Sequence, residues 1–350
     1  MQTETNDPIL SSFMSDHPVV TLAHGGGGKM MHRLIRDLFR TIFSNGDRMV
    51  EHDSAVLDVV DSRLAFTTDS YVVKPLFFPG GDIGSLAVYG TVNDLAMSGA
   101  EPLYISAGFI IEEGFPSDML IKIAQSMQAA CENARVRVVT GDTKVVEKGK
   151  GDGLFINTSG VGAIRHRYKI HPGSVKAGDA IIINGDIGRH GLAALLSRNE
   201  FSLKSDIRSD SAPVSHAIMR LLNAGIPIHC LRDLTRGGLA SALVEIAGAS
   251  GFHFEIEESQ VPVESEVTAI CEVLGFDPIH IANEGKFIAF IPESDTQDAL
   301  NILRKECSMP ESQAIGKALD SDQAIVTMRN EFGTSRIIDM SAGEQLPRIC

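Results

Sequence analysis

Two successive runs of short apolar strands interleaved with helices, divided by a turn-rich seam, constrain this chain's fold more than any other feature. In the first run, Leu34, Ile35, Leu38 and Ile42 are spaced for one face of a helix over residues 30–43. Strand patterns follow at 55–60 and 64–68, then a helix over 83–97 that stops at Ser98-Gly99. Residues 103–111 read as a strand, a helix runs from Ser117-Asp118 to about 133, and strands at 136–139 and 154–161 close the group. Pro172-Gly173 and Lys176-Ala177-Gly178-Asp179 carry turn chemistry and mark the seam. The second run opens on a buried-type strand at 180–185, with helices near 191–197, 214–224 and 238–249. It ends with a strand at 287–291, a helix at 295–306 and strands at 324–328 and 335–339. Similar content on both sides predicts an α+β chain, α and β mixed, of two domains. The expected division is a mobile leader at 1–17, domains at 18–170 and 171–340, and a flexible tail at 341–350.

Charge and cysteine usage exclude several function classes. With 45 acidic against 31 basic residues the net charge is −14, which disfavours non-specific association with nucleic acid or an anionic membrane. No Trp and only four Tyr leave little surface for stacking bases. Acidity still permits a phosphate ligand, because carboxylates can hold one through Mg²⁺. No apolar run approaches the roughly 20 residues that span a bilayer. Residues 1–17 lack the basic and apolar regions of a signal peptide, so the expected compartment is the cytoplasm. Five cysteines, at 131, 230, 271, 307 and 350, are odd in number, scattered and free of any CxxC pair, so neither a disulfide framework nor a zinc site is encoded. Cys350 is the last residue of Leu346-Pro347-Arg348-Ile349-Cys350. A terminal thiol has no core to fill, and prenylation requires the Cys three residues before the end. Such a thiol can carry a covalent group into another pocket; chance placement of one residue also accounts for it.

Four motifs carry candidate chemistry. His24-Gly25-Gly26-Gly27-Gly28-Lys29 precedes a helix, and unshielded backbone N–H groups there can wrap a phosphate, with Lys29 adding a contact. Met30 breaks the Walker A pattern, and a flexible connection fits the same residues. Asp53, Asp69, Asp94, Asp142 and Asp233 stand in turn-like or strand-end contexts between apolar flanks, where carboxylates around one cleft suit ATP with Mg²⁺. Asp53 and Asp142 also fit as turn formers. Asp94 sits inside an apolar helical pattern, where an unpartnered carboxylate is costly. Lys144 follows Gly141-Asp142-Thr143 at the end of a Val-rich strand; it can neutralise a transferred phosphoryl group or simply lie on the surface. Glu284, in Asn283-Glu284-Gly285-Lys286, can act as a general base if burial raises its pKa, and a plain turn explains it equally.

Taken in order, these motifs resemble the ATP-dependent superfamily of aminoimidazole ribonucleotide synthetase, selenophosphate synthetase and thiamine monophosphate kinase, from about Val20 to Cys350. The matching segments are the glycine run, Thr67-Thr68-Asp69-Ser70, Val92-Asn93-Asp94-Leu95-Ala96-Met97-Ser98-Gly99-Ala100, Gly141-Asp142-Thr143-Lys144, Arg232-Asp233-Leu234-Thr235-Arg236-Gly237-Gly238 and Asn283-Glu284-Gly285. The Pro347-Arg348-Ile349-Cys350 ending is similar to the HypE family of hydrogenase-maturation carbamoyl dehydratases. Selenophosphate synthetases carry their reactive Cys or selenocysteine near the N-terminus, and here the first Cys is Cys131. The resemblance implies an aminoimidazole ribonucleotide synthetase-like fold, and a homodimer whose N-terminal domains pair their sheets. It implies ATP contacts from Gly25, Gly26, Gly27, Gly28, Lys29, Asp53, Asp69, Asn93, Asp142 and Thr143, with Mg²⁺ held by Asp69, Asp94, Asp142 and Asp233. It further implies a carbamoyl group delivered to Cys350 by the carbamoyltransferase HypF and dehydrated to thiocyanate at the expense of ATP. Lys144 would stabilise charge and Glu284 would remove a proton. The cyanide would pass to the HypC–HypD complex for the iron of [NiFe]-hydrogenase. Two other readings compete: an ATP-dependent kinase or synthetase acting on a free small molecule, and a non-enzymatic assembly scaffold.

Overall fold

The structure is a computed structural model that describes residues 7–25, 29–43, 63–198, 203 and 205–340. The strand expected at 55–60, Gly26, Gly27, Gly28, Asp53, the side chain of Lys29 and the tail with Cys350 lie outside the described residues.

The stretch expected as a mobile leader holds helix α1 (Pro8–Asp16). The Asp7 side chain caps it, accepting the N–H groups of Ile9 at 2.8 Å and Leu10 at 3.3 Å, and Pro8 takes the first turn, where no N–H is needed. Leu10 and Phe13, three apart on one face, are buried in the first domain's core. The helix pattern at 30–43 becomes α2 (Lys29–Arg33), a π-helical stretch (Leu34–Arg40) and α3 (Thr41–Phe43), with Leu34 and Leu38 fully buried.

The first domain continues with β1 (Arg63–Tyr71), the short pair β2 (Phe77–Phe78) and β3 (Gly81–Asp82), α4 (Ile83–Met97), β4 (Glu101–Glu112), α5 (Ser117–Ala134), β5 (Arg137–Val146) and β6 (Leu154–Ile164). Its main sheet is four-stranded in the order β1-β6-β4-β5, antiparallel except where α5 crosses over between the parallel β4 and β5. β5 runs well beyond the expected 136–139, because Gly141 does not break it. A Cβ at Gly141 would lie 2.4 Å from the Ala107 carbonyl oxygen, so glycine is what lets β4 and β5 approach. Asp142, Thr143 and Lys144 therefore sit mid-strand.

Alternation along the strands gives the sheet an inner and an outer face. Ala65 and Tyr71 of β1 are buried beneath α4, and Thr67 and Asp69 share their side. On the outer face, Leu64, Phe66 and Ile110 are exposed, Phe66 at 70%. α4 opens on a capping box between Asp82 and Ser85 and is apolar around its circumference. It is buried on all sides because it packs on β1, β4 and β6, on α5, and on the second domain.

The second domain comprises β7 (Asp179–Ile183), α6 (Arg189–Leu196), α7 (Ser215–Asn223), β8 (Cys230–Asp233), α8 (Gly238–Ser250), β9 (His253–Glu257), α9 (Ser265–Leu274), β10 (Phe287–Pro292), α10 (Thr296–Glu306), β11 (Gln313–Leu319), β12 (Val326–Arg329) and β13 (Ser335–Ile338). These strands form a seven-stranded sheet, β13-β12-β9-β11-β7-β10-β8. β7 and β10 lie inside it, buried on both faces, which explains their unbroken apolar sequences. β8, β9, β11 and α9 were not foreseen; β11 contains Gly316 beside an irregular register that weakens its pattern. Among the described residues no helix is long and apolar enough to cross a membrane.

Candidate active site at the domain junction

α4 brings Asp94 to the boundary between the domains, and β8 ends there on Asp233. The two carboxylates share a cavity of about 550 Å³ with Thr67, Ser98, His171 and Arg232. The Thr67 hydroxyl donates to Asp94 Oδ2 at 3.0 Å. Burial pushes the Asp94 carboxyl above its usual range, opposed by the Thr67 bond and reinforced by the charge of Asp69. Asp233 is pushed up to about 7, first by desolvation and then by Asp94. Tyr71, whose hydroxyl lies 3.4 Å from Thr91 Oγ1, is fully buried on the same side of β1 and has its own pKa raised, chiefly by burial.

Glu284 is the most buried acid of the group, 3% exposed, on the loop entering β10. Desolvation raises its carboxyl well above the ordinary value, and the nearby charges of Asp233, Asp210, Asp69 and Asp94 act in the same direction. Its loop is tied from several sides. The Glu284 N–H donates to Asp210 Oδ1 at 3.2 Å. Asn184 donates to the Gly285 carbonyl at 3.0 Å and accepts from the Phe287 N–H at 2.8 Å. Asn283 Oδ1 accepts the Gly188 N–H at 2.7 Å, while its amide donates to the carbonyls of Leu234 and Ile281. Gly285 is required here: a Cβ would fall 2.1 Å from the Asp210 carbonyl oxygen.

The expected site residues thus divide. Asp69, Asp94, Asp233 and Glu284 lie close together: the charge of Asp69 helps to raise the other three carboxyls, and Asp94 and Asp233 help to raise that of Glu284. Asp142 and Lys144 do not join them. The register runs from Asp69 on β1 through Thr158 and Ala107 to Gly141, so Asp142 stands three strands away, roughly 14 Å at about 4.8 Å per strand. Asp142 and Lys144 also face the outer side, paired to each other at 2.8 Å, and Lys144 holds the Asp142 carboxyl below its usual range. Thr143, between them, is buried. Asn93, expected among nucleotide contacts, has its amide engaged elsewhere: Nδ2 donates to the carbonyls of Ala212 at 3.0 Å and Glu284 at 3.2 Å, and Oδ1 accepts the Val214 N–H at 2.8 Å. Gly25 ends a short 3₁₀ turn (Leu22–Gly25) at the edge of the glycine run. Among the described residues no group of three or more His, Cys, Asp or Glu side chains stands ready-made around a metal position. Asp210 and Asn184 were missed; neither lies in a pattern that a local reading singles out.

In comparisons with known proteins, the N-terminal domain of AIR synthase related protein matches residues 51–164 and the C-terminal domain of the same family matches residues 176–329. The chain is 48% identical over 333 residues to carbamoyl dehydratase HypE of Rhodobacter capsulatus, covering 95% of this chain and 98% of that protein. Against carbamoyl dehydratase HypE of Escherichia coli K12 the identity is 40% over 337 residues, covering 95% of this chain and 99% of that protein. A crystal structure of the hydrogenase maturation protein HypE in complex with ATP superposes with a TM-score of 0.90 at 44% identity, covering 94% of this chain and 99% of that one. A HypE–HypF complex contains a similar chain, with a TM-score of 0.77 at 44% identity over 88% of this chain and 99% of that one.

Proposed function

The chain belongs to the AIR synthase-related family, and within it to the HypE carbamoyl dehydratases, and from that membership we propose that it dehydrates an S-carbamoyl group on Cys350 to thiocyanate with ATP. The observation that carries the chemistry is Glu284, a carboxyl at the domain junction whose basicity is raised first by burial and then by neighbouring acids. A thiocarbamate oxygen is a poor leaving group. Its attack on the γ-phosphorus of ATP breaks the bond to ADP and, with release of one of the two N–H protons to solvent, forms an imidate phosphate, whose oxygen can depart as phosphate. Loss of the remaining N–H proton to Glu284 forms the C≡N bond as phosphate leaves, giving Cys350–S–C≡N, ADP and phosphate. A carboxylate held away from water is more basic than a solvated one, which is why burial of Glu284 matters.

Asp69, Asp94 and Asp233 offer hard oxygen donors to Mg²⁺. No Lys or Arg hydrogen-bonds to Asp94 or Asp233 among the described residues, so a divalent cation suits them. Bound there, Mg²⁺ would neutralise phosphate charge. Asp142, Thr143 and Lys144 belong to the same chemistry through a second copy. The exposed outer sheet face with Leu64, Phe66 and Ile110 is an apolar surface for a homodimer, and pairing two such faces carries Asp142 and Lys144 toward a cleft between subunits. HypF loads Cys350, the HypC–HypD complex accepts the cyanide for [NiFe]-hydrogenase iron, and the setting is the cytoplasm, where the thiol stays reduced.

Mass spectrometry of the C-terminal peptide tests this after incubation with the carbamoyltransferase, carbamoyl phosphate and Mg-ATP. Carbamoylated Cys350 should lose the mass of water only when ATP is present. Cys350→Ala should produce no thiocyanate yet bind Mg-ATP normally by calorimetry. Thiocyanate from the Cys350→Ala protein would end the proposal.

A further inference from the structure

The geometry points to Asn93 as a positioning residue for Glu284, a bridge thrown from the first domain to the loop that carries the base. Asn93 is buried, on the helix α4 that packs between the domains. A primary amide offers two donors and one carbonyl acceptor, and here both groups are engaged by backbone of the second domain. Nδ2 donates to the Ala212 and Glu284 carbonyls, at 3.0 Å and 3.2 Å, and Oδ1 accepts from the Val214 N–H at 2.8 Å. The Ala212 N–H also lies 3.4 Å from the Glu284 carbonyl, so Asn93 joins two strands of chain that already touch. Asp210, two residues before Ala212, takes the Glu284 N–H at 3.2 Å. The peptide groups on both sides of the Glu284 Cα are thereby fixed, one by Asp210 and the other by Asn93. An amide committed in this way is not free for a nucleotide. The arrangement instead makes the position of the base depend on how the domains dock. The catalytic half of this proposal rests on Glu284 being the base; the anchoring half does not.

Asn93→Ala removes all three bonds, and Asn93→Asp is nearly isosteric but cannot donate to the two carbonyls. In the full-length protein, amide exchange over residues 283–287 should accelerate at least about tenfold in both variants. The Kd for Mg-ATP should stay within about threefold, and single-turnover dehydration of pre-carbamoylated Cys350 should slow by about 10- to 100-fold. If Asn93 acts through Glu284, Asn93→Ala combined with Glu284→Gln should be no slower than Glu284→Gln alone. Unchanged exchange together with a Mg-ATP affinity weakened tenfold or more overturns the anchoring and returns Asn93 to the nucleotide. Accelerated exchange with dehydration at the parental rate overturns its catalytic importance. Normal turnover by Glu284→Gln removes the base itself, while the exchange measurement still decides the anchoring. Should Asn93→Ala fail to fold, Asn93→Asp carries the same test.

Discussion

Replacing Asp233 by Asn should make the protein more stable at high pH than at low pH relative to the parent. The carboxyl of Asp233 is raised to about 7 in the folded chain against an ordinary value of 3.8. Between those values the unfolded chain has released this proton while the folded chain keeps it, so the unfolded state binds fewer protons and stability falls as pH rises. The fall ends near pH 7, where the folded carboxyl ionises too. Each pH unit in that window costs about 1.4 kcal/mol, close to 3 kcal/mol between pH 5 and pH 7. Asp233 is only partly buried, and solvent screening reduces this to about 1–2 kcal/mol. Asn cannot ionise, and its presence also relieves Glu284, whose carboxyl the charge of Asp233 helps to raise. Urea denaturation of both proteins at pH 5 and pH 8, without Mg²⁺ or nucleotide, measures the effect. The stability difference, variant minus parent, should grow by about 1–2 kcal/mol from pH 5 to pH 8. A difference that stays constant with pH refutes the reasoning, because Asp233 would then be as solvated in the folded chain as in the unfolded one.

Two further outcomes follow from the fold. Phe13→Ala should cost about 3–4 kcal/mol in chemical denaturation, because the α1 ring is buried in the first domain's core; a cost near zero would show that α1 does not dock. Phe66→Asp, on the outer sheet face, should leave stability within about 0.5 kcal/mol and convert the protein to monomer in sedimentation experiments; an unchanged sedimentation coefficient would dissociate that face from dimer formation.

Much of the site was readable because its chemistry conflicts with its surroundings. Asp94 stands in an apolar helix, and that misfit marked it from sequence; the structure shows a carboxylate whose charge is disfavoured by burial. Glu284 was legible as a candidate, but its burial was not, because the residues that cover and hold it are distant in the chain. The Asn93 bonds span 119, 121 and 191 residues, and no local pattern reports contacts of that range. A polar residue beside a site acid therefore read as a nucleotide contact when its partners are backbone groups of the other domain. Asp142 and Lys144 were misplaced for a local reason. Gly141 reads as a strand breaker, yet here it serves close strand approach, and the motif falls within β5 rather than at its end. α1 was announced by Asp7-Pro8 and the Leu10/Phe13 spacing, but one helical turn of apolar residues is too short a signal to outweigh its position at the terminus.

The burial of α4 on every side has a consequence for how the molecule melts. Ala96, near the end of that helix, belongs to the same apolar cluster as Ile182 and Phe287 of the second domain, and Met97 packs against it. Cutting the chain at the seam would strip a greasy flank from one half and uncover the strand ends of the other. The halves should therefore denature together in one cooperative step, and neither should be obtainable alone as a well-behaved fragment.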